Sequence, residues 1–308
     1  MDFNEDQIKN IKAAAMRTVA FFDMFNFPLT SFELHKFLFQ PVPNPSFFEL
    51  ERILASGVAG LETVRGFYFL SGREQLIAAR LDKYNFAGRK MKRAAAVAKI
   101  FSFLPWVALV AAVNLIGARN TPDAGDIDLF IAVKPGRLWT TRFLTASLMH
   151  LFRLRPAAGN SRDKICLSFY AAEDWLDLRR LMLYESKERV DAYFVFWLAN
   201  LWPLYDAGGV YEKFAAQNKY LYGYLPNWRP ASLLETKKNN PGPVRKNRGS
   251  FIFDYLEKSL KKLQLALLPP PLKAIMNADS RVVINDQILK FHANDRREMY
   301  NEKWRGIL

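Results

Sequence analysis

The first 72 residues carry apolar positions at the 3.6-residue spacing of helices, interrupted by turn signals. This spacing predicts helices over 5–25, 31–39 and 46–55. The second and third open with the capping boxes Thr30–Glu33 and Ser46–Glu49. Two short strand patterns follow at 61–64 and 67–70, turned at Arg65-Gly66. Three helices followed by a hairpin predict a winged helix-turn-helix over residues 1–72.

The later chain alternates between helical and strand patterns. Strands are expected over 106–116, 126–133 and 165–170, with helices ending near 104 and running over 137–154. We therefore expect an α/β (α+β) protein. The expected segments are a basic helical connector over 73–99, a small mixed-sheet core over 87–172, a helical extension over 173–235, a linker over 236–250 and C-terminal helices over 251–308.

Composition narrows the class of protein. The 308 residues are 50% apolar and 24% charged, which excludes a largely disordered chain and suggests two or three domains. The single cysteine, Cys166, cannot form an internal disulfide, and the polar N-terminus lacks a secretory signal, so we expect a cytoplasmic protein. An uncharged run over 100–118 is divided by Pro105 and contains Asn114, which favours a helix end and a buried strand over a membrane span.

Charge is distributed unevenly. Residues 1–72 contain six Lys/Arg and eight Asp/Glu, leaving 38 basic and 22 acidic residues in 73–308. The third helix presents Glu49 and Glu51 beside a single Arg52. Because phosphate contacts supply most non-specific DNA affinity, the N-terminal unit is poorly suited to DNA, and we expect a structural or protein-docking role for it. Any polyanionic partner should meet the later part of the chain, although excess Lys/Arg also serves solubility.

The segment 113–133 holds the candidate chemistry. A strand pattern ends at Gly117, a turn rich in Asn, Pro, Asp and Gly follows, and Asp126-Ile127-Asp128 opens a second strand. With the period of two residues in a strand, Asp126 and Asp128 project from one face. Two neighbouring carboxylates repel each other, and a divalent cation such as Mg²⁺ (or Mn²⁺) is their natural partner. The backbone at Gly117-Ala118, turning sharply after a strand, can direct N–H groups at a phosphate.

This segment resembles the signature of the polymerase-beta-type nucleotidyltransferase superfamily, in which an apolar strand, Gly-Ser and a variable turn precede Asp-x-Asp on a second strand. Gly117, Asp126 and Asp128 match it, and the resemblance covers about residues 87–172. The whole chain more loosely resembles bacterial nucleotidyltransferase-domain proteins with an N-terminal winged helix. The resemblance implies that Asp126 and Asp128 hold Mg²⁺, that a nucleoside triphosphate binds, and that a nucleoside monophosphate passes to an acceptor hydroxyl as pyrophosphate leaves.

Two positions depart from that signature. Ala118 stands where the family has Ser, so only backbone donors remain there. The third carboxylate of the family lies on a neighbouring strand, but the strand over 165–170 contains no acid, and Glu173 is the candidate that we select from the acids around it. If no third acid reaches the metal, the alternative is a non-catalytic nucleotide-binding or regulatory module with a winged helix used for docking.

Basic residues around this segment are candidates for phosphate binding. Arg119 in the turn and Arg137 at the start of the following helix are the two that we select. The connector, the helix after Arg137 and the linker could form one basic surface, so the unknown acceptor is a small molecule, a protein or RNA, with no membrane partner. The histidines lack metal-ligand spacing with Cys166, which is expected to be a core residue rather than a nucleophile.

Overall fold

The computed structural model describes residues 3–114, 119–157, 159–184, 189–231 and 251–307. Within these ranges it is a mixed α/β structure with two sheets. The expected α/β class is confirmed at this level. The smaller sheet belongs to the N-terminal segment, and the larger one carries the candidate site.

The N-terminal segment contains three helices and three short strands. They are α1 (Glu5–Asp23), β1 (Leu29–Thr30), α2 (Ser31–Lys36), α3 (Phe47–Ala55), β2 (Leu61–Val64) and β3 (Phe67–Leu70). The strands pair antiparallel in the order β1-β3-β2. Both predicted capping boxes form, since the Thr30 and Ser46 side chains accept from the N–H groups of Glu33 and Glu49. Helix α2 ends at Lys36, three residues before the predicted end.

Aromatic residues join this N-terminal segment to the rest of the chain. Phe21 of α1 stacks on Phe196 of helix α6 (Ala192–Ala199) with 4.1 Å between ring centroids. Trp304 of the last helix, α10 (Arg297–Ile307), packs edge-on against Phe39 and donates its indole N–H to the carbonyl of Arg17. These contacts belong to one continuous apolar cluster that extends from α1 to the large sheet. Residues 1–72 therefore share their core with the later chain.

Helix α4 (Leu76–Phe101) connects the two sheets as one uninterrupted element of 26 residues. Near its start, the buried Arg80 forms two hydrogen bonds of 2.8 Å with Glu33 of α2 and a third with the carbonyl of Pro28. At its other end, Val97 and Phe101 pack under the large sheet. The predicted connector and the start of the predicted core are thus one helix.

The large sheet has six strands in the order β7-β4-β5-β6-β9-β8. The strands are β4 (Val107–Ala112), β5 (Ile127–Val133), β6 (Ile165–Ala172), β7 (Trp202–Asp206), β8 (Val282–Ile284) and β9 (Ile288–Phe291). Only β5 and β6 run parallel, and each other neighbouring pair is antiparallel. One face packs against α4 and helix α5 (Leu138–Leu151), and the other against α6, α10 and helix α7 (Val210–Gln217).

This sheet is larger than the one expected over 87–172. Strand β7 lies in the segment expected to be helical, where its Trp202–Asp206 sequence is surrounded by aromatic residues that fit a helical spacing equally well. Pairing with the buried β4 makes this segment a strand. The β8–β9 hairpin lies in the region expected to form C-terminal helices. Its β-branched residues and its Asn285-Asp286 turn were a readable hairpin signal.

The remaining C-terminal elements pack on the sheet. Helix α8 (Phe251–Ala266) lies along α5, and the short helix α9 (Pro270–Ala274) leads to β8. Glu257 of α8 accepts from the backbone N–H groups of Trp139 and Thr140 and so caps the start of α5 from another helix. Within the described ranges, no helix has the length and apolarity needed to cross a membrane.

Candidate metal and nucleotide site

The two aspartates lie at the edge of the sheet where β5 and β6 begin. Asp126 immediately precedes β5, and Asp128 is the second residue of the strand. Because β6 runs parallel to β5, its start lies at the same edge, and Cys166 pairs directly with Asp128. One donor atom from each of Asp126, Asp128 and Cys166 lies within 4.8 Å of the others. The two aspartates do lie together, and the neighbouring strand adds a thiol rather than a third carboxylate.

The carboxylate of Asp128 is held by neutral donors. Asn114 Nδ2 donates to its Oδ2 at 2.8 Å, and the Cys166 thiol donates a second hydrogen bond. Among the described residues, no Lys, Arg or His forms an ion pair with Asp126 or Asp128, and Lys90 acts on Asp126 only at longer range. Burial, and then the charge of Asp126, raises the pKa of Asp128 to about 6. Burial raises the pKa of Asp126 too. The two carboxylates thus lie side by side at this edge of the sheet without an ion-pair partner among the described residues.

A line of hydrogen bonds continues from Asp128 across β6. Burial, and then the charge of Asp128, raises the pKa of the Cys166 thiol well above its usual range, and a hydrogen bond with Ser168 opposes this only in part. The thiol is therefore protonated at neutral pH and donates its S–H to Asp128. Ser168 Oγ also lies 3.1 Å from His292 Nε2. The Nδ1 atom of His292 is buried and has no hydrogen-bond partner among the described residues.

A cavity of about 240 Å³ reaches the site through Asn114, although neither aspartate lines it. Asn114, which donates to Asp128, lines it, as does His292. Its aromatic wall includes two stacked pairs, Tyr193 with Tyr300 at 5.3 Å and Phe194 with Trp197 at 5.7 Å between centroids. The cavity is large enough for a small ring system, and its walls are of the kind that bind one.

The charged groups of the cavity wall are largely paired with one another. Asp295 bonds to both Arg297 and Lys290, and Arg297 also reaches Asp191. Burial of Asp295 opposes ionisation, but the hydrogen bonds and charge of Arg297 outweigh it and lower the Asp295 pKa to about 2. Burial is the main cause that lowers the pKa of Lys290 to about 8 and that of His292 to about 4. At neutral pH His292 is therefore an uncharged imidazole.

Of the residues expected in the phosphate-binding turn, only Arg119 is described by the structure. Gly117 and Ala118 lie outside the described residues. Arg119 is described and has a left-handed backbone, with φ of 56°. Its guanidinium lies over the ring of Trp202 and donates to the hydroxyl of Tyr84. Trp202 pairs with the last residue of β4, which pairs with the residue after Asp128, so Arg119 lies at the aspartate edge of the sheet.

Glu173 and Arg137 lie at the opposite edge of the sheet, so the structure does not bring either of them to the aspartates. Glu173 follows the last residue of β6 and forms a 2.8 Å ion pair with Lys134, just beyond β5. Arg137 also follows β5, where it is buried and pairs with Asp254. The seven residue-to-residue steps from Cys166 to Glu173 span about 23 Å of extended strand. The parallel direction of β5 and β6 puts their beginnings at one edge and everything that follows them at the other.

Part of the basic charge of the connector is paired with acidic groups or carbonyls of the same protein. Lys90 is fully buried and pairs with Asp163 at 2.9 Å, and Arg89 bonds to both Asp163 and Asp123. Arg93 donates to the carbonyl of Asp163. These cations hold the loops that precede β5 and β6. Residues 236–250, the other basic stretch, lie outside the described residues.

Four residues around the aspartates were not assigned to the site from the sequence, namely Asn114, Cys166, Ser168 and His292. Cys166 was expected in the core, yet it lies on the half-buried side of β6 together with Ser168. The signal was the alternation of these two polar residues with Ile165 and Leu167, which puts both on one face. Nothing local in the sequence indicates that His292 reaches this face.

The arrangement has the chemistry of a cation site next to a small-molecule cavity. Two half-buried carboxylates and a thiol converge at one sheet edge, and an aromatic cavity opens beside Asn114, which donates to Asp128. Comparison with protein-family models, with curated proteins and with solved structures finds no match for this chain.

Proposed function

We propose that the protein is a metal-dependent nucleotidyltransferase that moves a nucleoside monophosphate from a nucleoside triphosphate to a hydroxyl acceptor. The observation that carries this proposal is the pair of half-buried carboxylates, Asp126 and Asp128, which form no ion pair with a cation among the described residues. They open the second strand of an antiparallel pair whose neighbour runs parallel to it. This mixed arrangement supports the resemblance carried by Gly117, Asp126 and Asp128.

The two carboxylates suit Mg²⁺ or Mn²⁺, which bind oxygen ligands and complete their shells with water and phosphate oxygens. Bound here, such a cation supplies the positive charge that favours attack by the acceptor hydroxyl and departure of pyrophosphate. Asn114 orients Asp128 through its 2.8 Å hydrogen bond. Arg119, at the same edge, is the cation that we assign to the triphosphate, together with the backbone of Gly117 and Ala118.

The cavity beside Asn114 bears on the acceptor. Its volume of about 240 Å³ and its paired aromatic walls favour a small molecule over RNA or a protein side chain. The pairing of Lys90 and Arg89 with Asp163 removes part of the basic surface that an RNA acceptor would need. We therefore propose a small hydroxyl-bearing acceptor, with protein and RNA as the alternatives.

For residues 1–72 we propose a winged-helix unit with a structural role. The order of helices and strands around the sheet β1-β3-β2 supports this assignment. The aromatic residues of α1 pack on α6, which lines the cavity, and the unit carries more acidic than basic residues. Support of the cavity wall, rather than DNA binding, is the role that these contacts favour.

A second candidate function rests on Cys166. Since a thiol stands where the resemblance requires a carboxylate, the site could bind a nucleotide without transferring it, as a regulatory module would. The two candidates predict the same metal-dependent binding of nucleotide and differ in whether pyrophosphate is released.

Both can be tested on the full chain after removal of metal with EDTA. Each nucleoside triphosphate, labelled at the α-phosphate, is incubated with Mg²⁺ or Mn²⁺ and a pool of small hydroxyl compounds, and pyrophosphate and labelled products are measured. We expect metal-dependent pyrophosphate release, reduced at least about 100-fold in Asp128→Asn. Asp286→Asn is the matched control, because this exposed aspartate lies in the β8–β9 turn at the opposite edge of the sheet.

Calorimetry of the same samples separates the outcomes. Nucleotide binding that requires Asp128 and metal, with no pyrophosphate released for any acceptor, would support the non-catalytic module. Nucleotide binding that is unaffected by metal and by Asp128→Asn would contradict both candidates.

A further inference from the structure

We infer that Cys166 is a metal ligand and that it shifts this site from Mg²⁺ towards a thiophilic divalent cation of the Zn²⁺ or Co²⁺ class. The inference rests on the metal site of the proposed function and concerns which cation it prefers. It begins from the register of β5 and β6, which puts Cys166 directly beside Asp128. In a protein with a single cysteine, that residue lies at the one sheet edge that also carries two adjacent carboxylates.

The geometry suits one ion shared by the three side chains. Their donor atoms lie within 4.8 Å of one another. Ligands at about 2.0–2.3 Å from a single Zn²⁺ are separated by about 3–4 Å, so small side-chain rotations are sufficient. Substrate oxygens or water would complete the shell, as in open catalytic zinc sites.

Other polar groups lie behind the three ligands. Ser168 follows Cys166 by two residues on the same side of β6, and its Oγ lies 3.1 Å from His292 Nε2. Asn114 donates a hydrogen bond to Asp128 from the other side. Metal ligands are commonly oriented by such outer hydrogen bonds, whereas a cysteine that only fills core volume needs none. These partners lie outside the three-residue cluster and constitute a separate observation.

Binding of a metal ion to Cys166 replaces the thiol proton. Without metal, the thiol hydrogen bonds to Asp128. When a divalent cation binds, the S–H bond is replaced by a sulfur–metal bond and the proton passes to solvent. Sulfur adds little to Mg²⁺, which takes oxygen ligands, but it favours borderline and soft cations. With the two aspartates alone, the site would prefer Mg²⁺ or Mn²⁺. The sulfur ligand of Cys166 shifts this preference towards the Zn²⁺ or Co²⁺ class.

The test is spectroscopic and independent of turnover. The untagged, metal-free chain is titrated with Co²⁺ and followed in the near ultraviolet, where a thiolate–cobalt charge-transfer band appears only if sulfur binds the ion. Since Cys166 is the only cysteine, any such band must come from it. We expect a band that saturates at one Co²⁺ per chain. Cys166→Ser should abolish this band and lower the affinity for Co²⁺ at least about tenfold, while the affinity for Mg²⁺ should change little.

Two more variants sharpen the result. Ser168→Ala keeps the three ligands and removes only a hydroxyl behind them. It should lower the affinity for Co²⁺ by about tenfold. Cys166→Asp should raise the affinity for Mg²⁺ relative to Co²⁺. Absence of Co²⁺ binding, Co²⁺ binding without the band, or equal Co²⁺ affinity in Cys166→Ser would overturn the inference. If the band appears but no nucleotidyl transfer is detected, the inference stands and the enzymatic proposal fails. If transfer occurs with Mg²⁺ but no band appears, the enzymatic proposal stands and the inference fails.

Discussion

Replacing Asp128 by Asn should stabilise the metal-free protein at pH 8. The folded chain holds this carboxylate between Asn114, Cys166 and Asp126, without an ion-pair partner among the described residues. Burial first, and then the charge of Asp126, raises its pKa to about 6. In an unfolded chain an aspartate has a pKa of about 3.9. The folded state therefore binds the proton more tightly than the unfolded state.

The sign and size of the effect follow from linkage. Stability from this group is fully present below about pH 4 and is lost as the pH rises through about 6. A difference of about two pKa units is equivalent to about 3 kcal/mol above pH 7. Part of the carboxylate remains in contact with solvent, so we expect Asp128→Asn to recover about 1–2 kcal/mol of unfolding free energy.

Urea unfolding followed by tryptophan fluorescence, in EDTA at pH 8 and at pH 4.5, measures this gain. It should be present at pH 8 and largely absent at pH 4.5. Addition of a cation at about 100 times its Kd should reverse the order, because only the wild type gains about 2.7 kcal/mol from binding. Asp286→Asn is the control, because Lys261 lowers the pKa of Asp286 and its loss should not stabilise the chain. A metal-free Asp128→Asn that is less stable than wild type at pH 8 would refute the reasoning.

Three further predictions concern other parts of the structure. Glu173→Gln should leave cation affinity within about twofold of wild type by calorimetry, since this residue lies about 23 Å along β6 from Cys166. Arg80→Met should lower the free energy of unfolding by about 2–3 kcal/mol, because it leaves the Glu33 carboxylate without its two guanidinium bonds. Glu257→Gln should cost about 1 kcal/mol and speed hydrogen exchange at the first amides of α5, whose N–H groups it caps.

The site carries a cost that its chemistry explains. A fold selected for stability alone would not put two half-buried carboxylates side by side at the start of a strand without an ion-pair partner, and neither aspartate has one among the described residues. The local rule is broken at Asp126 and Asp128, and the neighbouring Cys166 and Asn114 soften the conflict without neutralising it. Such conflicts between stability and local chemistry are concentrated at functional sites, which is why this edge, rather than the better-paired cavity wall, is the centre of the proposals.

Local features of the chain were predictable from its sequence. The capping boxes at Thr30 and Ser46 mark helix starts. In each of them the side-chain oxygen of the first residue accepts a hydrogen bond from the backbone N–H three residues later, and this bond does not depend on the rest of the fold. The shared face of Asp126 and Asp128 follows from strand periodicity, and the two apolar strands β4 and β5 follow from their composition. Each of these depends on residues within a few positions of one another.

The tertiary structure alone decided which distant residues meet the aspartates. The parallel pairing of β5 and β6 brings Cys166 to Asp128 and sends Glu173 and Arg137 to the far edge. The antiparallel pairing of β9 with β6 brings in His292 from over 120 residues away. Neither direction can be read from periodicity, because a strand alternates its faces identically whichever way its neighbour runs. Strand direction is set by how the intervening helices and aromatic residues pack, and that packing depends on the whole chain.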